Sequence, residues 1–427
     1  MRGSRGRTHE RAGGASTRSA GLFSPFRIAE FRALWAAETL SIAGDQLARV
    51  ALSVLVFHRT GSAALTGLTY ALTFVPAFAG GVLLGGLGDR YPRRTVMVVL
   101  DLARAGLIGT AAIPGLSLWV LAVLVAVMTL LGGPFRGAQQ AVLPDVLTGD
   151  GYTAGMAVRN ITIQGSQLVG FAGGGVLVAG LNSSTGLALD AGTFLASALL
   201  LRAGVRPHTV PPRPRVSFLA STTAAAQLVW RSPELRSLLA LCWLAGFYVV
   251  PEALAAPYAS SLGGGAGAVG LLMASDPAGS VIGGIVFGNW VPASLRIRTL
   301  GLLGVVAGLP LIVCLLHPGL VVSMVLFGLS GMAATGYNIQ GTASFVRLLP
   351  TGMRAQGAGL MTSGLVAVQG IGALAAGVLA DHLGAAHTIA IAGVAGALAA
   401  VTITLGGRRR DRPAVIERET PTASQPR

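Results

Sequence analysis

Apolar runs of about 20 residues recur along the whole chain, and each is long enough to cross the hydrocarbon core of a bilayer as an α-helix. Only 11% of the 427 residues are charged, whereas soluble domains carry about 25%. Such a chain cannot bury its apolar surface in one soluble core, so the sequence predicts an all-α membrane protein. The predicted spans 1 to 12 cover, in order, 34–57, 64–86, 95–114, 118–138, 160–180, 185–202, 237–258, 266–288, 299–316, 319–341, 357–380 and 385–405.

The arginines indicate how these spans are oriented. There is no lysine, and the formal net charge is +15. Most arginines lie in the two tails, the connection between spans 2 and 3 and the segment 203–236, whereas Arg59 lies on the opposite side. Positive residues mark cytoplasmic loops, so we predict an inner (plasma) membrane protein with both termini in the cytoplasm. The arginines form no single patch, so nucleic acid is not predicted as a partner.

The longest polar connection, 203–236, divides the spans six and six. It includes a predicted amphipathic helix from Phe218 to Trp230 that would lie on the membrane surface. Similar segments follow spans 2 and 8, at 88–92 and 288–292, which suggests duplicated halves like those of transporters. The predicted segments are a disordered cytoplasmic tail (1–30), an N-terminal six-helix bundle (31–202), a cytoplasmic linker (203–236), a C-terminal six-helix bundle (237–405) and a cytoplasmic tail (406–427).

Small residues repeat at a spacing of four in spans 2 and 8. This spacing lets helix backbones approach closely in a membrane, so both spans are predicted to pack tightly against neighbours, with ordinary helix packing as the alternative interpretation. The pairs are Gly81/Gly85, Gly279/Gly283 and Gly284/Gly288.

The connection between spans 2 and 3 carries a specific motif. Residues 85–94 read Gly-Gly-Leu-Gly-Asp-Arg-Tyr-Pro-Arg-Arg, which resembles the loop 2–3 signature of the major facilitator superfamily, with Pro92 as the departure. The segment 31–35, Gly44-Asp45 and 60–62 resemble the drug:proton antiporter branch that includes macrolide-efflux proteins. The resemblance covers about residues 25–405 and implies two six-helix bundles, the major facilitator fold, that rock around a central cavity.

The resemblance also implies a conformational latch on the cytoplasmic side. In this latch the carboxylate of Asp89 would face the N-terminus of span 11, where the helix dipole favours negative charge. Asp101 and Arg104, one turn apart on span 3, are predicted to join this network, and the alternative is that the arginines only set the topology. The predicted latch residues are Gly85, Asp89, Arg90, Arg93, Arg94, Asp101 and Arg104.

The antiporter signature of span 5 is partly present. Its glycines match Gly170, Gly174 and Gly175, but Phe171 stands where the signature has proline. The family's arginine motif in the middle of span 4 is judged absent, because Arg136 is predicted to lie near the cytoplasmic end.

Asp45 is the leading candidate for a proton-coupling or substrate-orienting site. It lies near the middle of span 1, where a charge costs roughly 2.5–3.5 kcal/mol on insertion scales. Glu38 and Arg49 fall on the same helical face at about 100° per residue, so this face is expected to point at a cavity or another helix. Asp45 and Arg49 are expected to pair at i, i+4, and the alternative interpretation is a purely structural ion pair.

Glu252 is the second candidate. Pro251 and Pro257 are expected to break span 7, which would make it an outer gate or pocket wall, unless Glu252 lies at the outer interface. Asp190 and Asp276 are further candidates, with helix or turn capping as their alternative. Aromatic side chains in the spans either line an apolar pocket or serve as packing; they are Trp35, Tyr70, Phe74, Trp243, Phe247, Tyr248 and Tyr337.

The sequence predicts a transporter that uses no cofactor. The six histidines lack metal-ligand spacing, no phosphate loop or ATP domain is recognised, and no Ser/His constellation indicates an enzyme. We predict a monomeric, proton-coupled secondary transporter that exports small apolar or amphipathic compounds, with cargo, protons and the lipid bilayer as partners. The alternatives are a facilitator or importer of a small nutrient and, from other classes, a membrane sensor or an intramembrane enzyme.

Overall fold

The structure is a computed structural model that describes residues 23–84, 87–147, 150–207, 218–296 and 299–416. Over these ranges the regular structure consists of α-helices with short 3-10 segments, and no β-strand occurs in them. Ten helices of the described chain are long and apolar enough to cross a membrane. The prediction of an all-α, multi-pass membrane protein is therefore confirmed.

The helices follow the predicted spans in order. Spans 3 and 9 are not among these ten helices. Span 3 carries four charged residues, and the apolar helix of span 9 is short and ends at Leu316. The helices are Ala29–Thr60 (span 1), Ala63–Ala71 and Val75–Leu84 (span 2), Arg93–Ala111 (span 3), Leu118–Val146 (span 4), Asp150–Gly180 (span 5), Ser183–Gly204 (span 6), Pro233–Cys242, Ala245–Tyr248, Val250–Ala253 and Ala255–Ser261 (span 7), Ala266–Trp290 (span 8), Leu300–Val313 (span 9), Leu320–Leu348 (span 10), Arg354–Leu383 (span 11) and Ala385–Ile416 (span 12).

Several helices run well beyond the apolar stretch that predicts them. Span 4 continues to Val146, past the predicted end at 138, and span 5 begins at Asp150, before the predicted start at 160. Hydropathy detects only the most apolar stretch of a helix, whereas the backbone hydrogen bonds of the helix continue through polar residues as well. The predicted break of span 7 is confirmed, since four short helices replace one long helix there.

The connection between spans 1 and 2 shows how local sequence fixes a tight turn. Gly61 ends span 1 at φ +64°, a left-handed conformation that glycine adopts without steric cost. Ser62 then caps span 2, where its hydroxyl accepts from the backbone N–H of Leu65 at 3.2 Å. This connection and the one at Gly384 lie at the end of the bundle opposite the termini, which we call the outer end.

The two halves meet along pairs of spans that approach closely at glycines. A Cβ atom on Gly67 of span 2 would lie 2.9 Å from the Cα atom of Gly377 in span 11. In the same way, a Cβ atom on Gly175 of span 5 would lie 2.7 Å from the Cα atom of Gly270 in span 8. Backbones can come this near only where side chains are absent. The largest buried apolar cluster accordingly contains residues of both halves.

The predicted close packing of span 8 is found, and its partner is span 10. A Cβ atom on Gly279 would lie 2.6 Å from the carbonyl carbon of Gly328, and one on Gly283 would lie 2.8 Å from the Cα atom of Met332. Span 2 also packs closely, and its partner is span 4, since a Cβ atom on Gly133 would lie 2.3 Å from the backbone nitrogen of Gly81. Gly85 lies outside the described residues.

We expect Gly279→Ala to lower the stability of the protein by about 1–3 kcal/mol, because the added methyl group overlaps backbone atoms of span 10. Gly284→Ala is the matched control on the same helix, since its Cβ atom meets only the Cγ2 atom of Thr335 at 3.9 Å. Heat denaturation in detergent micelles would compare the two variants. Equal melting temperatures for both would contradict the close approach of spans 8 and 10.

The linker helix is present and spans Phe218–Arg231. Its buried residues, Ala225 and Val229, face the protein, and the helix packs beside span 11 and the start of span 7. Of the predicted tails, residues 1–22 and 417–427 lie outside the described residues. The described chain starts at Phe23 with a 3-10 turn, Ser24–Arg27.

Candidate functional site

Asp45 forms a two-pronged ion pair with Arg104 of span 3. The Nη2 atom of Arg104 donates to both carboxylate oxygens, at 3.0 and 3.1 Å. The side chain of Asp45 is 28% exposed, so the pair borders a cavity instead of being sealed in the core. The expected pair between Asp45 and Arg49 is therefore wrong. An arginine on a neighbouring span at the same height offers better geometry than one a turn away on the same helix.

Arg49 points instead towards aromatic rings of span 2. Its guanidinium carbon lies 5.0 Å from the ring centroid of Phe74 and 5.7 Å from that of Tyr70. Cations are attracted to the faces of such rings at this range. Arg49 thus stands between the cavity beside Asp45 and the boundary between the halves.

Asp101 and Arg104 belong to this central cluster, which corrects their assignment to the cytoplasmic latch. Asp101 is fully buried and accepts from the hydroxyl of Ser197 in span 6 at 2.6 Å. Arg104 also lies 3.4 Å from both Asp101 and Ser41. The cluster ties spans 1, 3 and 6 together in the middle of the first half.

Asp190 lies close to this cluster and is fully buried. One of its oxygens accepts from the hydroxyl of Thr193 at 3.2 Å, and the other has no hydrogen-bond partner among the described residues. A Cβ atom on Gly44 would lie 3.1 Å from the Cβ atom of Thr193. The glycine before Asp45 therefore makes room for span 6 against span 1.

A small cavity of about 40 Å³ lies beside Asp45. Arg136 lines it, which corrects the prediction that this arginine lies near the cytoplasmic end of span 4. The helix of span 4 extends to Val146, and this extension places Arg136 further inside. The lining residues are Asp45, Ala48, Arg49, Leu52, Thr73, Arg104, Val125, Met128, Thr129, Gly132 and Arg136.

Glu38 pairs with Arg159 of span 5, whose Nε atom donates to it at 2.7 Å. Both side chains are nearly buried, at 9% and 12% exposure. Arg159 was not predicted as a site residue, because the apolar run of span 5 starts at 160 while its helix starts at Asp150. The sequence signal for this pair was an acid within span 1, Glu38, and a basic residue one position before the predicted start of span 5, Arg159.

Glu252 is hydrogen-bonded by the phenol of Tyr70, so a side chain of span 7 in the second half meets one of span 2 in the first. Glu252 is half-buried where the two halves meet. Asp276 of span 8 is also half-buried, and a Cβ atom on Gly331 would lie 2.5 Å from one of its carboxylate oxygens.

A further contact between the halves lies at the outer end and was not predicted. The carboxylate of Asp381, near the end of span 11, accepts from the backbone N–H of Ala63 at 2.6 Å and from the hydroxyl of Ser62 at 2.8 Å. It thus caps the N-terminus of span 2, where a negative charge is favoured. Among the described residues, these bonds and that between Tyr70 and Glu252 are the hydrogen bonds that join the halves.

A family model described as Major Facilitator Superfamily matches residues 34–251. The chain belongs to the major facilitator superfamily. It is 30% identical over 272 residues to the enterobactin exporter EntS of Salmonella typhi, a match that covers 61% of this chain and 63% of the exporter. It is 28% identical over 221 residues to the multidrug efflux pump Tap of Mycobacterium bovis, covering 47% and 51%. These alignments span less than two thirds of either relative.

Solved transporter structures share the fold. A bacterial homologue of the human lysosomal transporter Spinster, inward-facing and unoccupied, matches with a TM-score of 0.71 at 14% identity, covering 89% of this chain and 96% of that one. The nucleoside transporter NupG matches with a TM-score of 0.70 at 14% identity, covering 88% and 99%. The fold and the family predicted from the sequence are confirmed.

The glycines of the span-5 motif serve close packing. A Cβ atom on Gly170 would lie 2.5 Å from the carbonyl oxygen of Ala43, and one on Gly174 would lie 3.0 Å from the Cα atom of Leu47, both in span 1. Gly175 meets Gly270 of span 8, so the motif packs span 5 against span 1 of its own half and against span 8 of the other half.

The superfamily latch is described only in part. Gly85 and the side chain of Asp89 lie outside the described residues. Arg90 is exposed and Arg94 is half-buried. Arg93 is buried and donates to Asp145 and to the carbonyl oxygen of Ala141, both in span 4 of the same half. Arg93 therefore anchors span 3 to span 4, and a latch between the halves at Asp89 stays a prediction.

Proposed function

We propose that the protein is a secondary transporter that exports small amphipathic compounds in exchange for protons. The observation that carries this proposal is the Asp45–Arg104 pair, a carboxylate held inside the membrane beside a cavity that admits water. Ionisable groups at such depth mark ion pathways and proton relays in membrane proteins. Export as the direction is supported by the two relatives, which are described as an exporter and an efflux pump.

The bond between Tyr70 and Glu252 supplies a way for a proton to move the halves. The phenol donates to the carboxylate of Glu252, and a hydrogen bond to an ionised carboxylate is roughly twice as strong as one to a neutral acid. Proton uptake by Glu252 would weaken this link between the halves. Arg49, stacked on Tyr70, connects the link to the cavity at Asp45. Protonation of Glu252 can thereby affect both the Asp45–Arg104 pair and the contact between the two halves.

Dye efflux from reconstituted vesicles tests the proposed function. An imposed pH gradient should drive an amphipathic dye against its own gradient, and collapse of the pH gradient with a protonophore should stop the movement. Saturable dye movement that ignores the pH gradient would indicate a facilitator instead. Proton-driven accumulation of a polar nutrient with no movement of dye would indicate an importer.

The orientation in the inner membrane is a separate prediction. Reporter fusions at Gly61, Gly115 and Gly263 should report outside, and a fusion at Pro212 should report inside, because the arginine-rich connections stay in the cytoplasm. Two reporters with opposite compartment requirements would give complementary signals at each site. An outside signal at Pro212 would overturn the orientation.

Asp381→Ala should loosen the outer end. Loss of a capping carboxylate costs about 0.5–2 kcal/mol, enough to shift the balance between closed and open outer ends several-fold. Spin labels on His58 and Leu383, both exposed, would report the distance across the outer end, which should lengthen. Glu234→Ala, in the first turn of span 7 at the opposite end, is the control. An unchanged distance distribution in Asp381→Ala would show that the contact is incidental.

A further inference from the structure

The cavity beside Asp45 has more hydrogen-bond donors than acceptors. Arg49, Arg104 and Arg136 line it, together with the single carboxylate residue Asp45. Both oxygens of that carboxylate accept from Arg104. Arg136 has no hydrogen-bond or ion-pair partner among the described residues. The cavity therefore contains cationic donors that this chain leaves without an acceptor.

Two of these cations converge on one point. The Nη2 atoms of Arg136 and Arg104 lie 3.7 and 3.9 Å from the position that a Cβ atom on Gly132 would take. Asp45 is the carboxylate near both cations, but among the residues that line the cavity its one negative charge stands against the positive charges of three arginines. The hydroxyl of Thr129, which is 7% exposed, and the Nε atom of Arg104 are further buried groups without a partner in the described chain.

Nearby carboxylates do not supply the missing acceptor. Asp101 and Asp190 are fully buried on spans 3 and 6, but neither lines the cavity. Their bonds run to the hydroxyls of Ser197 and Thr193. Arg136 is exposed to the cavity, so its guanidinium is accessible to an anion that enters there. Its planar fork of N–H groups matches a carboxylate well.

We propose that this cavity binds a monovalent anion between Arg104 and Arg136, with Thr129 as a third donor. Its volume of about 40 Å³ exceeds the 10–15 Å³ or so that one water needs, so it admits a halide ion or one carboxylate group but not a whole amphipathic molecule. The anion is either a free ion or, resting on the proposed function, the carboxylate end of a cargo whose apolar part lies outside the cavity.

Thermal unfolding of the full chain in detergent micelles tests the site. The protein starts in a bulky sulfonate salt that is replaced by sodium chloride or sodium formate at constant ionic strength and pH. The melting temperature should rise and saturate. Arg136→Gln should raise the half-saturating concentration about tenfold or more, because a charge-assisted bond is lost. No saturable rise in the parent protein, or an unchanged response in Arg136→Gln, would overturn the proposal.

Two matched variants separate anion binding from a general loss of structure. Gly132→Ala keeps every charge and adds a methyl group whose nearest neighbours, at 3.7 and 3.9 Å, are ordinary contacts, so it should fold normally and bind chloride more weakly. Arg59→Gln, at the outer end of span 1, should respond like the parent. A Gly132→Ala variant that binds chloride as well as the parent would also count against the site.

Octanoate and octanamide distinguish the two sources of the anion. If the carboxylate of a cargo occupies the site, octanoate should stabilise the protein at lower concentrations than formate, and octanamide should have no effect. If the site takes free ions, formate and octanoate should act alike. Equal stabilisation by octanoate and octanamide would overturn an anion site for cargo. Since these readouts require no transport, failure of proton-driven efflux would leave them unaffected.

Discussion

Asp45→Asn is expected to abolish dye efflux driven by a pH gradient while leaving the protein folded and able to bind the dye. Asparagine is nearly isosteric with aspartate but can neither carry the charge nor exchange a proton. Arg104 retains Asp101 as a counter-charge at 3.4 Å, so the first half should keep its packing. Loss of a proton-coupling group should lower the driven rate by about 100-fold or more, since general acid–base groups contribute about 10²–10⁴-fold.

Asp145→Asn is the matched control for this experiment. Asp145 pairs with Arg93 in the same half, and its side chain is 41% exposed, so its removal takes away an Asp–Arg pair outside the central cluster. Efflux should remain within about twofold of the parent, because the altered side chain is partly solvated and Arg93 keeps the carbonyl oxygen of Ala141 as an acceptor. Glu38→Gln, which removes the partner of Arg159, should weaken coupling less than Asp45→Asn.

The efflux rate of Asp45→Asn can also exclude Asp45 as the proton-coupling group. If Asp45→Asn transports as well as the parent under the imposed gradient, Asp45 is only a structural partner of Arg104. The proton site would then be sought at Glu252 or Asp190. Asp190 has one carboxylate oxygen without a partner in the described chain, and Glu252 lies on the boundary between the halves.

The spans, their order and the family could be predicted because lipid allows a long apolar segment few solutions other than a helix. Asp45 stood out for the same reason, since an acid in the middle of such a segment needs a partner. Its partner could not be read from the sequence. Helical spacing predicted that Arg49 lies near Asp45. Spacing describes contacts within one helix, however, and does not predict which residues of a neighbouring span lie at the same height. Packing of spans 1, 3 and 6 placed Arg104 there.

Errors at helix ends account for the other missed residues. Arg136 and Arg159 lie near or beyond the ends of the apolar runs of spans 4 and 5, so Arg136 was predicted near the cytoplasmic end and Arg159 was not selected as a candidate. The helices continue further, and both side chains reach acids or cavities inside the first half. Long arginine side chains can extend along a helix to reach such partners. Contacts between the halves, such as that of Asp381 with Ser62, depend on the arrangement of distant segments and had no local signal.

Arg104→Met should be the most destabilising of the substitutions considered for this protein. It leaves the fully buried carboxylate of Asp101 with only the hydroxyl of Ser197, and it leaves Asp45 without a cation. Removal of one partner of a buried pair costs about 3–5 kcal/mol, because the other charge stays in a low-dielectric site. The guanidinium also stacks on Phe194, 4.0 Å from the ring centroid, and methionine replaces only part of that contact.

A second substitution shows whether the stranded charge is the cause. Asp101→Asn added to Arg104→Met removes the uncompensated carboxylate, so the double variant should be more stable than Arg104→Met alone. Equilibrium unfolding in micelles of increasing dodecyl sulfate content would give the free energies of the parent, both single variants and the double variant. Arg93→Met is the control, since its partner Asp145 is partly exposed and can be solvated after the loss. If the double variant is as unstable as the sum of the single ones, the pair contributes packing and not charge compensation, and the central cluster is not the electrostatic unit described above.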